Sequence, residues 1–256
     1  MTDVRENRVL IPIEILRGQD VPESVIDSFA STSVVLLGYH EIPEQTAPGQ
    51  ARMQFEEQAQ SALEDFETVF AEAGCDVSTR LVFTQDPMKT FERVAAELEC
   101  DSVLVLNPAP VLEQILVAIS ETVNVEHIAR LVGDVMADSD VEVTLYHITP
   151  DNEKRERGEE ILETAAETLE ASGIDRDRLV KAVVVDDEPL EALLEAAEGY
   201  HLVVVGESKP TIRDRIWGDI SETIAEQTVN PVLVVRRDYL EVPDEELESR
   251  DDDPSE

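Results

Sequence analysis

Two stretches of the chain, VVLLGYHEIP (Val34 to Pro43) and VEVTLYHITP (Val141 to Pro150), run through Val and Leu into the same ending, Tyr-His-x-x-Pro. The match extends outward. VLIPIE (Val9 to Glu14) corresponds to ILVAIS (Ile115 to Ser120), DPMKTFERVAAEL (Asp86 to Leu98) to EPLEALLEAAEG (Glu188 to Gly199), and SVLVLNPAP (Ser102 to Pro110) to HLVVVGESKP (His201 to Pro210). A sequence that repeats its order of elements folds as two copies of one unit, so the chain reads as an internal duplication.

Within each copy, apolar runs alternate with amphipathic segments, the pattern of parallel sheets covered on both faces. The predicted strands are Val9 to Glu14, Val34 to His40, Val77 to Phe83, Val103 to Leu106, Ile115 to Ile119, Val141 to Ile148, Leu179 to Val185, Leu202 to Val205 and Val232 to Val235. Most are nearly continuous Val, Ile and Leu, as strands buried on both faces require. Ala51 to Ala73 sets Phe55, Ala59, Leu63, Phe66, Val69 and Phe70 at helical spacing. Pro87 and Pro189 each follow an acidic residue and open a helix where the missing N–H costs nothing. A further helix is expected around Val123 to Ala137.

The copies are unequal. After its fourth strand the first has only NPAPVLEQ before the next strand, too little for a loop, a helix and a fifth strand. Taking ILVAI as that fifth strand is the rival parse, but it would leave the second copy without its first strand. The expected organisation is therefore a truncated unit over 1–110, a complete unit over 111–240, and an acidic tail over 241–256 that reads as solvated and disordered.

The chain carries 58 acidic and 20 basic residues, a formal net charge of -38, and its lysines are Lys89, Lys154, Lys181 and Lys209 alone. Such a surface repels nucleic acid and anionic lipid, whose binding requires phosphates to be neutralised by Lys and Arg. It suits a cytoplasm at very high salt, where a Debye length of roughly 3 Å at 1 M suppresses self-repulsion. No apolar run approaches the ~20 residues that cross a bilayer, and no signal peptide is recognisable, so a cytoplasmic protein is expected. Cys75 and Cys100 match no zinc or redox spacing and read as buried thiols. Phosphate-loop, nucleophile-elbow and zinc-helix motifs are all missing. His40 and His147 end strands as packing residues do, and His127 and His201 have no sequence partner. No catalytic or metal-binding residue is indicated.

The stretch GESKPTIRDRIWGDISETIAEQTVNPVLVV (Gly206 to Val235) leaves the carboxyl end of a strand with a glycine and meets Gly218 before a helix predicted from Asp219 to Thr228. Ligands of open parallel sheets favour such crevices, and free N–H groups at a helix start can face an anion. In order of elements and in wording, Gln114 to Arg237 resembles the universal stress protein family, above all in HLVVVGESKP, WGDISETIAEQTVNPVLVVRR and the Tyr-His strand ending. The resemblance runs more faintly over Arg8 to Pro110. It implies an α/β fold of two Rossmann-like (adenine nucleotide alpha hydrolase-like) α/β/α units with parallel sheets, usually dimeric. One branch of the family holds ATP on G-x-x-G followed, after a spacer, by G-[S/T], with an Asp at the end of the first strand. Here Gly206 fits the first glycine, Lys209 replaces the second, Gly218 fits the third only with a spacer one residue shorter, Asp219 replaces the hydroxyl residue, and Ser120 stands where the Asp would be. In the first copy Glu14 occupies that place and Asn107 replaces Gly206.

Ser120, Gly206, Lys209, Arg213, Gly218 and Asp219 are thus the candidate nucleotide-binding residues of a degenerate motif. Lys209, Arg213 and Arg215 either grip phosphate directly or pair with Glu207, Asp214 and Asp219. Trp217 caps a ligand or anchors the loop. The last strand, Val232, Leu233, Val234 and Val235, is the expected edge for a homodimer, as in family members, because an apolar edge needs a cover. Two readings of function stand: a non-catalytic stress-linked regulatory or interaction module without a cofactor, and an adenine-nucleotide sensor that binds ATP. The resemblance also admits a regulator of a membrane transporter. On transfer from molar to millimolar KCl the protein is expected to lose part of its far-ultraviolet circular dichroism, and an unchanged signal would remove the halophilic reading.

Overall fold

The computed structural model describes residues 7–30, 32–107, 112–121, 123–136, 139–207, 223–224, 227–228 and 230–236. All nine predicted strands form: β1 (Arg8–Glu14), β2 (Ser33–Glu41), β3 (Asp76–Thr84), β4 (Ser102–Val105), β5 (Gln114–Ala118), β6 (Glu142–Thr149), β7 (Leu179–Val185), β8 (Leu202–Gly206) and β9 (Val232–Val235). Between them lie α1 (Glu23–Ser28), α2 (Pro48–Glu72), α3 (Pro87–Glu97), α4 (Val125–Met136), α5 (Arg155–Ala171) and α6 (Pro189–Ala197). Helix α2 begins three residues before the predicted Ala51, because Pro48 fits a first turn as well as Pro87 does. At the start of α3 the Asp86 side chain accepts the Lys89 N–H at 3.2 Å and the Lys89 ammonium at 2.6 Å. That hydrogen-bonded ammonium holds the Asp86 carboxyl below its ordinary range.

Residues alternate between two faces along each strand. Val9, Ile11 and Ile13 of β1 face the layer of α1, α2, α4 and α5, whereas Leu10 faces the layer of α3 and α6. Within α2, Ala59, Leu63 and Phe70 are buried as their spacing predicts, while Val69 is 47% exposed. The two cysteines are free and buried. Cys75 donates from Sγ to the Phe29 carbonyl at 3.2 Å, and burial pushes its pKa up.

The parallel-sheet α/β order expected of each copy forms, and the two join in one nine-stranded sheet of order β3-β2-β1-β4-β9-β8-β5-β6-β7. Both copies use the same internal order, third-second-first-fourth, and the second adds its fifth strand, β9. Every neighbouring pair is parallel except β4 and β9, which run antiparallel with Ser102 opposite Val235 and Val105 opposite Val232. The expected homodimer edge is therefore corrected. Val232, Leu233, Val234 and Val235 are bonded to β8 on one side and β4 on the other, at 0–1% exposure. Among the described residues no strand lies between β4 and β5, and the edge of β4 away from β1 is filled by β9 of the same chain.

Antiparallel pairing also sets the carboxyl end of β4 beside the start of β9. There the Asn107 side-chain amide donates to the Thr228 carbonyl at 3.1 Å and the Asn230 carbonyl at 2.9 Å, and Asn230 donates to the Ala197 carbonyl at 2.9 Å. Replacing Asn107 by Ala removes a donor shared by two carbonyls, which is expected to cost about 1–3 kcal/mol. Urea unfolding in molar KCl measures it.

Candidate functional site

The two copies run in opposite senses, so their strand-end crevices open at opposite ends of the sheet. In the complete copy the crevice lies between β5 and β8, where the order of strands reverses. Their register pairs Ala118 with Val205, which brings the ends of both strands together. Ser120 is exposed, two residues past β5, and Gly206 is the last residue of β8. The structure thus brings these two candidate residues to one place. Lys209, Arg213, Arg215, Trp217, Gly218 and Asp219 lie outside the described residues.

Gly206 has a packing reason to be glycine. A Cβ there would lie 2.6 Å from Ile128 Cδ1 and 3.0 Å from Val123 Cγ1, so α4 and Val123, just ahead of it, press on the end of β8. The next residue, Glu207, donates its N–H to the Val235 carbonyl at 2.9 Å, and its carboxylate stands 3.9 Å from Arg236 Nε with both side chains about nine-tenths buried. Arg236 continues to the first copy, donating from Nη1 to the Cys100 carbonyl at 3.0 Å and from its backbone to the Asp101 carbonyl at 2.7 Å. A carboxylate directly after the glycine lowers the affinity of this strand end for phosphate, although Arg236 offsets part of its charge.

In the truncated copy the crevice between β1 and β4 is filled from within. Glu14, 6% exposed at the end of β1, accepts from His40 Nδ1 at 3.0 Å and from the Glu41 N–H at 3.1 Å. Gln19 accepts the Glu14 N–H at 2.8 Å. The two acidic neighbours affect Tyr39, whose pKa is pushed up to about 12 by burial first and then by Glu14, with Arg17 opposing and Glu41 adding. Tyr39 also packs edge-on against Phe91 with ring centroids 4.9 Å apart. Asn107, at the position of Gly206, is the clamp described above.

Two of the remaining histidines, His147 and His201, hold the backbone through their rings. His147, 3% exposed, shares a 2.7 Å hydrogen bond between Nδ1 and the Ile119 carbonyl. His201 Nδ1 accepts the N–H groups of Glu113 and Gln114 at 3.2 Å each. The side chain of Asn124 accepts the His127 N–H at 3.1 Å at the start of α4. A cavity of about 260 Å³ lies between α6 and Gln227, Thr228 and Asn230, with Glu195 and Glu198 in its wall, a charge unsuited to phosphate. Among the described residues, no group of three or more His, Cys, Asp or Glu is placed to hold a metal ion, and no helix is long and apolar enough to cross a membrane.

The sequence singled out Asn107 only as a departure from glycine and passed over Arg236. No local pattern marks either as a tie between the copies, because their partners lie more than a hundred residues away in sequence.

Comparison with known proteins agrees with this geometry. Residues 112–236 match the model of the Universal stress protein family, which spans the complete copy from the start of β5 to the end of β9. This segment matches that family's model, and the chain as a whole shares the fold of universal stress proteins. A universal stress protein from Archaeoglobus fulgidus DSM 4304 is similar at 16% identity and a TM-score of 0.62, covering 91% of this chain and 100% of that one. A functionally unknown protein from Pseudomonas aeruginosa PAO1 is similar at 15% identity and a TM-score of 0.49, with 91% and 93% covered. A universal stress protein in complex with cAMP is similar at 23% identity and a TM-score of 0.41, with 51% and 100% covered. No curated protein matches the sequence.

If Gly206 is kept for packing, Gly206→Ala lowers stability by about 1–3 kcal/mol, as overpacking does. Thermal unfolding in molar KCl without nucleotide reads this directly, and an unchanged midpoint would return the glycine to a ligand role.

Proposed function

We propose that this chain is a non-catalytic regulatory or interaction module, built on a nucleotide-type fold whose strand-end positions serve internal cohesion. The observation that carries this reading is the use of those positions in bonds within the chain. Glu14 is held by His40 and the Glu41 N–H, and Asn107 clamps the carbonyls of Thr228 and Asn230. Each stands where a relative with an intact motif would meet the nucleoside or the phosphates, and each is already committed. The excess of acidic residues further disfavours phosphate and nucleic acid as ligands.

A second reading, an adenine-nucleotide sensor, draws support from one place in the molecule. In the complete copy Ser120 is exposed beside the end of β8, and Lys209, Arg213 and Arg215 follow in sequence. In that reading ATP would occupy the crevice between β5 and β8 and its phosphates would meet the basic side chains.

Titration of Mg-ATP into the full chain in molar KCl, by calorimetry and by fluorescence of Trp217, separates the two. The module predicts no saturable heat and no fluorescence change up to millimolar nucleotide. Micromolar saturable binding that is lost in Lys209→Ala and Arg213→Ala would overturn it and establish the sensor.

A further inference from the structure

Each copy lays a corresponding helix on the second face of the sheet, α3 in the first and α6 in the second, and the two differ at their outward positions. Pro87 and Pro189 open them, and the buried Phe91 and Ala95 of α3 match the buried Leu193 and Ala197 of α6 at the same offsets. On that register Lys89, Glu92 and Arg93 of α3 are replaced by Glu191, Leu194 and Glu195 of α6. The outer face of α3 is satisfied within the chain, since Lys89 pairs with Asp86 at 2.6 Å and Arg93 with Glu97 at 2.6 Å. On α6 both cations have become anions. Among the described residues no basic side chain pairs with Glu191, Glu195 or Glu198, all of which are exposed. Between Lys181 and Lys209 the chain carries seven acidic residues and no Lys or Arg.

The exchange of Glu92 for Leu194 adds an apolar surface beside these charges. Leu194, partly buried, lines the cavity of about 260 Å³ together with Ala197, Glu195 and Glu198, and Thr228 and Asn230 stand opposite. Both walls are fixed before anything enters. Asn230 is tied to the Ala197 carbonyl at 2.9 Å, and Asn107 of the first copy holds the Thr228 and Asn230 carbonyls. The cavity also lies at the carboxyl end of α6, whose last turn has no basic residue to complement the negative end of the helix dipole.

We infer that this cavity receives an arginine side chain from a basic segment of a partner protein. The aliphatic stem lies on Leu194 and Ala197, and the guanidinium stands between Glu195 and Glu198, since a long basic side chain covers apolar surface while its planar head meets carboxylates. Phosphate and nucleic acid are repelled by the same two carboxylates. A purely apolar side chain would desolvate them without pairing them, which is costly. In molar salt an ion pair held in a cavity is screened less than one on the open surface, so the contact persists where general attraction to the acidic surface does not. The inference rests on the interaction-module reading and names the chemistry of the partner.

The test is fluorescence anisotropy of a labelled short peptide with arginine and leucine at helical spacing, titrated with the full chain in molar KCl. The same peptide with glutamine for each arginine runs beside it. The arginine peptide is expected to saturate and the glutamine peptide not to bind. Glu195→Gln with Glu198→Gln, at exposed positions, is expected to weaken binding about tenfold or more with unchanged circular dichroism. Leu194→Glu, which restores the residue type of α3, is expected to abolish it. Glu57→Gln with Asp65→Asn removes the same charge from exposed positions of α2 and is expected to leave the affinity unchanged. Failure of the arginine peptide to bind would overturn the inference. So would equal binding of the glutamine peptide, which would make the occupant apolar, or equal weakening by the α2 pair, which would reduce the attraction to net charge. None of these outcomes touches the module reading, which the Mg-ATP titration decides.

Discussion

Four residues of β9 join the two copies, and the rest of the architecture follows from how they do so. Val232 to Val235 make hydrogen bonds to a parallel neighbour on one side and an antiparallel neighbour on the other, within a core that leaves them 0–1% exposed. Burying each such side chain stabilises by about 1.5–3 kcal/mol, and enclosing both backbone edges removes the unpaired groups that an edge strand carries. Because the pairing with β4 is antiparallel, the two copies point in opposite directions and their crevices open at opposite ends of the sheet. Arg236 and Asn107 reinforce the two ends of this junction, one through Cys100 and Asp101, the other through Thr228 and Asn230.

The same junction bears on function. A strand end serves a ligand only if its backbone and side chains remain available, and here several are engaged. Glu14 and Asn107 in the truncated copy are bonded within the chain, and in the complete copy Glu207 stands 3.9 Å from Arg236. Gly206, a candidate residue of the expected motif, packs against Val123 and Ile128. The two copies thus differ in degree: the first is closed by its own side chains, and the second retains an exposed serine.

Electrostatics set the conditions under which this architecture holds. Exposed pairs such as Arg52 with Glu56, Arg93 with Glu97 and Arg157 with Glu160 are each worth about 0–1 kcal/mol. They engage the few basic residues but cannot neutralise an acidic excess of 38. The remaining repulsion is a property of the whole surface, and salt weakens it by screening rather than through any single contact.

Strand positions, the helices opened by Pro87 and Pro189, and the buried Leu63 and Phe70 were all legible in the sequence. They depend on local periodicity and on residues such as proline whose backbone preferences act in place. The family likeness was legible too, in the wording around β8 and β9. What the sequence reading got wrong was the destination of β9, expected at a homodimer edge, because an apolar strand fits a neighbour in its own chain as well as one in another, and only the open edge of β4 decided between them. The roles of Asn107, Arg236 and Gly206 were hidden for the same reason: each is defined by atoms that the fold brings from distant segments. The sequence by itself determined the elements and their faces, and the tertiary structure decided which edges close, since edge pairing is a long-range contact that no local pattern encodes.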